Sequence, residues 1–476
     1  MKPCLLIQKI LAGTILALFF SLPATGQERA GYVVTSLSSE NNFPIAMDID
    51  STGRILVLGY EDFSDLVFEN TGAGWLMTGF EYDLVLIRYT SEGELDTSFG
   101  NGTGMVRIDR GDDDWPLLVM ALDDDSILVG GFTIFDLTVE LTEDGGVNSE
   151  GETTDLVAFD ASEVEPFLMK LTPAGELDAT YGGGDGLVSL EPFASGAVQT
   201  ILAGNAMDEI VLFVLYITDA GVTVDVSSYD QDGTRQDVSG PATLSLSNEF
   251  VLSNVTIDQE GRILIAWTAL GGDFAVTRYR TDGQPDTEFG DAGGTKTVDY
   301  GDGDVCNQVV LDEEGRIYLV GKTGVTKTDG DEGYDFAVVR LDERGQVDST
   351  YGEGGFVITD IGSDIDEAIS GIFDAEQRLV VAGGYHVLFE DDRFSVARYT
   401  SAGALDSTFG DSVAPDTDGE TDENDSGGAA PSNEDKGGCA LNRAGQGTTN
   451  GFLVFWIALL IVFLRSAHLW RCTRHA

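Results

Sequence analysis

Between residues 30 and 410 the apolar positions fall in short, β-branched runs bounded by Gly and Asp, and none keeps the 3.6-residue period of a helix face. The stretch from 308 to 359 shows the unit. Residues 308–311 predict a first strand, Gly315 a turn, and 316–321 a second strand. Residues 336–341 predict a third, 343–345 the next turn, and 355–359 a fourth. This is a sheet pattern throughout.

The unit recurs. Gly-x-(Leu/Val/Pro)-Asp-x-x-(Phe/Tyr)-Gly occurs at 93–100, 175–182, 283–290, 345–352 and 403–410, and a decayed copy begins at Gly233 and keeps Asp237. A second motif, an Asp-x-x-Gly-Arg-Ile-Leu-like turn and strand, interleaves with it at 50–57, 258–265, 312–319 and 374–381. Worn copies of the second motif stand at 123–129 and near 208–212. Six units of four strands predict an all-β fold, a six-bladed β-propeller of four-stranded blades. The sixth unit lacks a fourth strand after Gly410, whereas residues 32–37 align with the fourth strands at 105–109 and 356–360. The N-terminal strand is therefore expected to close the last blade and cover its open edge.

This pair of motifs resembles the delta-60 repeat family of bacterial exported proteins, with the closest matches at 342–352 and 374–383. The resemblance spans roughly residues 32–410. It implies a propeller-like surface or secreted protein and implies no reaction.

The two ends read as addresses. Lys2 and Lys9, an apolar run over 10–22 and Ala24-Thr25-Gly26 form the three parts of a secretory signal peptide, with cleavage expected after Gly26. Residues 411–438 are Asp, Glu, Gly, Ser and Pro with little apolar content, an expected disordered spacer. Residues 439–476 hold Cys439, a thirteen-residue apolar run at 452–464 and a basic end. That run gives about 20 Å of helix, short of the roughly 30 Å hydrocarbon core. Gly437-Gly438-Cys439 ahead of a short helix and an Arg-rich end resembles the C-terminal sorting signals of the GlyGly-CTERM and MYXO/JDVT-CTERM groups. That resemblance implies export and sorting proteases as partners and processing at Cys439. A plain membrane anchor is the other reading of the same segment. Both place the body, residues 27–410 with its spacer, at the cell envelope or surface of a Gram-negative bacterium.

Charge narrows the function classes. The chain has 82 acidic and 26 basic residues and a net charge of −56. Removing the six basic residues of the two ends leaves −62 on residues 27–439. With no Lys/Arg cluster outside the tail, nucleic acid is excluded as a partner. Such an excess of Asp over Lys suits solubility at high salt, where repulsion is screened. Three His and four Cys, of which only Cys306 lies in the body, argue against a zinc site, a disulfide framework or a His-based nucleophile system. Cys306 is expected to be a small buried side chain, and His386 a solvated loop residue.

Candidate chemistry therefore rests on carboxylates. Asp96, Asp178, Asp286, Asp348 and Asp406 recur in one turn and are expected to fix its backbone, with Phe99, Tyr181, Phe289, Tyr351 and Phe409 packing between blades. Strand order puts the second-to-third-strand loops and the crossings between units on one face. The variable material falls there, including insertions at 60–81 and 132–165 and the loop at 322–334. The crossings carry the ligand-face candidates Asp112, Asp113, Asp114, Asp302, Asp304, Asp364 and Asp366. Asp329, Asp331 and Asp335, and Asp416, Asp418 and Asp422 in the spacer, have spacings that suit calcium. The functional expectation is a binding or scaffold module for a protein or polysaccharide ligand, without enzyme activity. The alternative is a carboxylate-dependent glycosidase or lyase.

Overall fold

The computed structural model describes residues 31–410 apart from 38–40, 65–66, 71–73, 79–80, 112, 136–137, 143–155, 161–162, 191–196, 205–209, 219–220, 237–242, 247–249, 270–271, 292, 302, 327–331 and 387–391. The expectations for Gly26, Asp112, Asp302, Asp329, Asp331, Asp416, Asp418, Asp422 and Cys439 lie outside the described residues. So do the signal segment, the spacer and the apolar run at 452–464. Among the described residues no helix is long and apolar enough to cross a membrane.

The chain is all-β. Strand β1 (Tyr32–Thr35) precedes the first repeat, which is β2 (Asn41–Ile49), β3 (Ile55–Asp62), β6 (Tyr82–Tyr89) and β7 (Met105–Ile108). Between β3 and β6 lie β4 (Val67–Asn70) and β5 (Gly74–Thr78). Repeat 2 is β8 (Asp113–Ala121), β9 (Ile127–Phe135), β12 (Glu163–Leu171) and β13 (Leu187–Ser189), with β10 (Thr138–Thr142) and β11 (Leu156–Asp160) inserted after β9. Repeat 3 comprises β14 (Ala197–Gly204), β15 (Ile210–Thr218), β16 (Gly221–Tyr229), β17 (Arg235–Gln236) and β18 (Thr243–Leu246). Repeat 4 comprises β19 (Phe250–Ile257), β20 (Ile263–Ala269), β21 (Asp273–Tyr279) and β22 (Thr295–Val298). Repeat 5 is β23 (Val305–Leu311), β24 (Ile317–Thr326), β25 (Glu332–Leu341) and β26 (Phe356–Thr359). Repeat 6 supplies β27 (Ile365–Phe373), β28 (Leu379–His386) and β29 (Arg393–Tyr399).

Within each repeat neighbouring strands pair antiparallel in chain order, except in repeat 3, where both β17 and β18 pair with β16. Repeat 6 takes β1 as its outer strand, with Tyr32 opposite Ala397 and Thr35 opposite Phe394. Among the described residues a single parallel bridge, Tyr334 to Ile365, joins the sheets of repeats 5 and 6, and no sheet closes on itself. The second and third strands read as unbroken apolar runs because both of their faces are covered. In β3 and β6 the segments Ile55–Tyr60 and Leu84–Tyr89 are buried residue after residue.

The insertions depart from the expectation of irregular loops. Strands β4, β5, β10 and β11 form an extra four-stranded sheet in which repeat 1 pairs with repeat 2, Trp75 standing opposite Leu141. Likewise the 322–334 loop extends β24 and β25 into a longer hairpin. The worn turn of repeat 2 begins at Leu122, not Asp123: the Leu122 amide donates to the Ser126 carbonyl, and Asp125 takes the left-handed position (φ 60°) that Gly53 holds in repeat 1.

The recurring Asp of the third-to-fourth-strand turn does what the sequence predicts, and more. One carboxylate oxygen accepts the amide two residues on, as Asp96 does from Ser98 at 2.9 Å and Asp406 from Thr408 at 3.0 Å. The other oxygen takes a buried Arg from the third strand, unforeseen from the motif. These pairs are Arg88–Asp96 (2.8 Å), Arg278–Asp286 (2.8 Å), Arg340–Asp348 (2.8 Å) and Arg398–Asp406 (2.9 Å). Each guanidinium lies over the aromatic ring of the same turn, 4.4–4.7 Å from Phe99, Phe289, Tyr351 and Phe409. It then reaches the next repeat: Arg88 donates to the Pro173 carbonyl (2.5 Å), Arg278 to Glu343 (2.6 Å) and Arg340 to Ser401 (3.0 Å). Arg398 donates to Ser91 (2.5 Å), so repeat 6 engages repeat 1 by the contact that each of these repeats makes to its successor. Burial pushes the Asp96 carboxyl up, but the Ser98 donors and Arg88 outweigh it and hold it below the usual range.

Replacing Arg398 by Ala strips Asp406 of its principal cation while leaving it buried. The expected loss is about 3 kcal/mol in urea unfolding, and a loss under about 1 kcal/mol, the scale of an exposed ion pair, would show that this contact does not hold the repeats together.

Candidate functional site

Antiparallel order puts the starts of the first and third strands and the ends of the second and fourth at one end of every repeat. Three of the ligand-face candidates, Asp114, Asp304 and Asp366, meet two further Asp residues there at the junction with the preceding repeat. Between repeats 4 and 5 the set is Asp273, at the start of β21, Asp299, just past β22, and Asp304, just before β23. Between repeats 5 and 6 it is Asp335, Asp360 and Asp366. In each set carboxylate oxygens from all three lie within 4.8 Å of one another.

The innermost Asp is held alike each time. Asp304 accepts the Tyr300 amide at 2.7 Å and the Thr323 hydroxyl at 2.6 Å. Asp366 accepts the Ile361 amide at 2.9 Å and the Ser363 hydroxyl. Asp114 accepts the Arg110 amide at 2.8 Å and the Thr133 hydroxyl at 2.6 Å. These residues are not loop acids in solvent: Asp113, Asp114, Asp304 and Asp366 are all buried, and Asp113, Asp114 and Asp366 lie within first strands. Asp364 is half-buried, its carbonyl accepting the Tyr334 amide at 3.1 Å. Asp335 is buried beside Asp360 and Asp366, while Asp329 and Asp331, expected with it, lie outside the described residues.

Crowded carboxylates resist ionisation. Burial first, then repulsion from Asp299 and Asp273, raises the Asp304 carboxyl, against the pull of its hydrogen bonds. Between repeats 1 and 2, Asp83, Asp109 and Asp114 occupy the equivalent positions. There burial, followed by Asp109, Glu81, Asp114 and Glu61, pushes Asp83 up to about 6. This junction also carries cations: Arg107 pairs with the buried Glu61, and the Arg110 guanidinium lies 4.1 Å over Phe167. Between repeats 6 and 1 the three positions are Arg393, Ser36 and Asn42, with Asn42 donating to the Asp392 carbonyl at 3.0 Å. So the acids are present together or absent together at these four junctions.

The same end holds two features that the sequence did not signal. Lys322 and Glu367, both buried, pair at 2.8 Å between repeats 5 and 6, and Asn307 donates to Glu367 at 3.0 Å. Tyr60, Tyr82 and Trp115 pack ring against ring at 4.9–5.6 Å where the extra sheet leaves repeats 1 and 2. His386 corrects its expectation: its Nδ1 meets Asp392 at 2.6 Å and its ring stacks on Phe43, so it is not a solvated residue. Cys306 is buried as expected, and burial pushes its thiol up to about 12, which makes it inert as a nucleophile.

Residues 378–409 match a family described as "Domain of unknown function (DUF5122) beta-propeller". Among curated proteins none matches the chain. Similar solved structures include a protein of unknown function from Dyadobacter fermentans (10% identity, covering 79% of this chain and 99% of that one, TM-score 0.44). Others are the NanB sialidase of Streptococcus pneumoniae as its K499G mutant (10%, 80% and 72%, TM-score 0.43) and the PQQ-bound aldose sugar dehydrogenase of Streptomyces coelicolor (11%, 79% and 100%, TM-score 0.36). The chain is all-β and propeller-like.

Asp83 gives a pH test with a definite sign. Its folded-state value near 6 lies above the unfolded value of about 3.9, so the folded protein holds an extra proton between about pH 4 and 6. Its contribution to stability is complete below that window and is lost as pH rises through it. Asp83→Asn removes the titration, so the variant should gain on the parent from pH 4 to pH 8 in chemical unfolding. A constant difference across that range would refute the assignment.

Proposed function

We propose that the chain is an exported six-bladed propeller acting as a binding or scaffold module at the cell envelope. Closure of the ring is supported by the contacts of the first strands. In order, β2 touches β8, β8 touches β14, β14 touches β19, β19 touches β23, β23 touches β27, and β27 touches β2. The functional reading is carried by the inequality of the two ends. One end is built from near-identical turns. The other gathers the three-carboxylate sets, the buried aromatic cluster and the inserted sheet, and irregular material on a regular scaffold is where recognition is placed. The ligand is a protein or a polysaccharide, and calcium is the cation that three clustered carboxylates suit best, as hard oxygen donors. No reaction is assigned, because nothing in the site distinguishes one carboxylate pair as acid and base.

Purified protein should be retained on a polysaccharide or protein matrix without cleaving it, and release of reducing ends would instead establish the glycosidase or lyase reading. Calcium at about 10 mM is expected to add roughly 1–3 kcal/mol of stability, for a dissociation constant on the order of 10⁻⁴–10⁻³ M. Asp304→Asn together with Asp366→Asn should abolish that gain, and an unchanged melting curve in the parent would remove calcium from the proposal.

Processing of the ends belongs to the same reading. The mature protein from its native host should start after Gly26 and lack the apolar run at 452–464, with Cys439 near its new end. Intact mass decides this: a main species extending to Ala476 would leave a plain anchor.

A further inference from the structure

The contact made by Arg88, Arg278, Arg340 and Arg398 is adhesive but blind. Its acceptor is each time a main-chain carbonyl, that of Pro173, Glu343, Ser401 or Ser91. Each of these residues stands two positions before a turn Gly. A carbonyl at one fixed turn position does not depend on which repeat follows, so this contact holds neighbours together without identifying them.

The opposite end differs from junction to junction. There a second-strand residue meets the first strand of the next repeat. By register Lys322, opposite Phe336, stands where Tyr60 stands opposite Leu84, Thr268 opposite Phe274 and Gly384 opposite Phe394. Tyr60 packs on Trp115 of repeat 2, ring centroids 5.3 Å apart. Gly384 makes room for Phe43 of repeat 1, because a Cβ there would lie 2.8 Å from that ring. The Thr268 hydroxyl accepts the Cys306 amide of repeat 5 at 3.1 Å. Lys322 meets Glu367 of repeat 6 at 2.8 Å. Of these four matches, only the last is between charges.

That match is buried and braced. Lys322 Nζ lies 4.8 Å from the centre of the Tyr334 ring. Asn307 spans the junction, donating to Glu367 Oε1 at 3.0 Å and to the Ala368 carbonyl at 2.8 Å. Exchanging a whole buried ion pair for uncharged residues is often neutral for stability, whereas stranding one member is costly. An uncharged match, as at the other three junctions, would adhere as well. The charges therefore act on wrong neighbours: against Tyr60, Thr268 or Gly384, Glu367 would be buried without its cation.

We propose that Lys322 and Glu367 form a matched key that assigns repeat 6 to repeat 5. Stranding either member disfavours a wrong neighbour by on the order of a hundredfold or more. Off-order packing of near-identical repeats, within one chain or between two, is thereby rejected during folding.

Refolding of the full-length chain from urea tests the key, read as the fraction recovered as native monomer beside the midpoint of unfolding. Lys322→Thr with Glu367→Val installs the match between repeats 4 and 5, since Val305, opposite Lys322, holds the place that Glu367 holds opposite Gly384. The midpoint should stay at or above that of the parent, while recovery of monomer falls, and falls further as protein concentration rises. Recovery equal to the parent's would overturn the proposal. So would a midpoint that drops along with recovery, because the pair would then serve stability alone. Lys322→Met with Glu367→Gln keeps the volume and the acceptor for Asn307, and it carries the same test if the first double variant does not fold. Failure of both to fold would also overturn the key.

Discussion

Everything else in this fold depends on one composite contact: a guanidinium that is buried against an aromatic ring, paired with the turn Asp, and still long enough to reach a carbonyl of the neighbouring repeat. Burying an Arg costs several kcal/mol unless its donors are satisfied and its charge is met. Arg398 meets both conditions at once, with Asp406 on one nitrogen, the Ser91 carbonyl on another and Phe409 beneath the plane. The turn glycine completes the fit, since a Cβ on Gly93 would sit 2.8 Å from the Phe409 ring. Repeats 1, 4, 5 and 6 thus each hold the Arg half of a latch whose carbonyl half belongs to the following repeat.

The strands were largely legible in the sequence. Unbroken apolar runs such as 317–321, punctuated by Gly and Asp, specify buried strands whatever surrounds them, and β23 to β26 fall where the pattern puts them. The alignment of residues 32–37 with other fourth strands anticipated the pairing of β1 with β29. The insertions were not legible, because strands of four or five residues in polar surroundings have no periodicity of their own. Repeat 2 also hid its turn by placing Leu122 where repeats 1, 4, 5 and 6 have Asp.

The site was half visible. Asp114, Asp304 and Asp366 stood out as crossing acids and Asp335 as a loop acid suited to calcium, but Asp83 and Asp273 did not, although Asp83, Asp273 and Asp335 each lie thirteen residues before a turn Asp. The same counting would have found the latch, since Arg88, Arg278, Arg340 and Arg398 each lie eight residues before theirs. Both were passed over for one physical reason. Charged residues are taken to be solvated by default, and only a neighbour from another repeat reveals that these are buried. The ion pair between Lys322 and Glu367 is beyond any local pattern, because its two members belong to different repeats.

The latch is also directional, with an Arg side and a carbonyl side that differ. Such a head-to-tail contact has two geometric destinies: it closes on itself after a fixed number of units, or it continues from one molecule to the next as a filament. Here the carbonyl side of repeat 1 is consumed by the last repeat of the same chain. The count of repeats is thus a solubility property as much as a structural one. Were that last contact broken, the Arg side of repeat 6 and the carbonyl side of repeat 1 would both be left free to join one molecule to another.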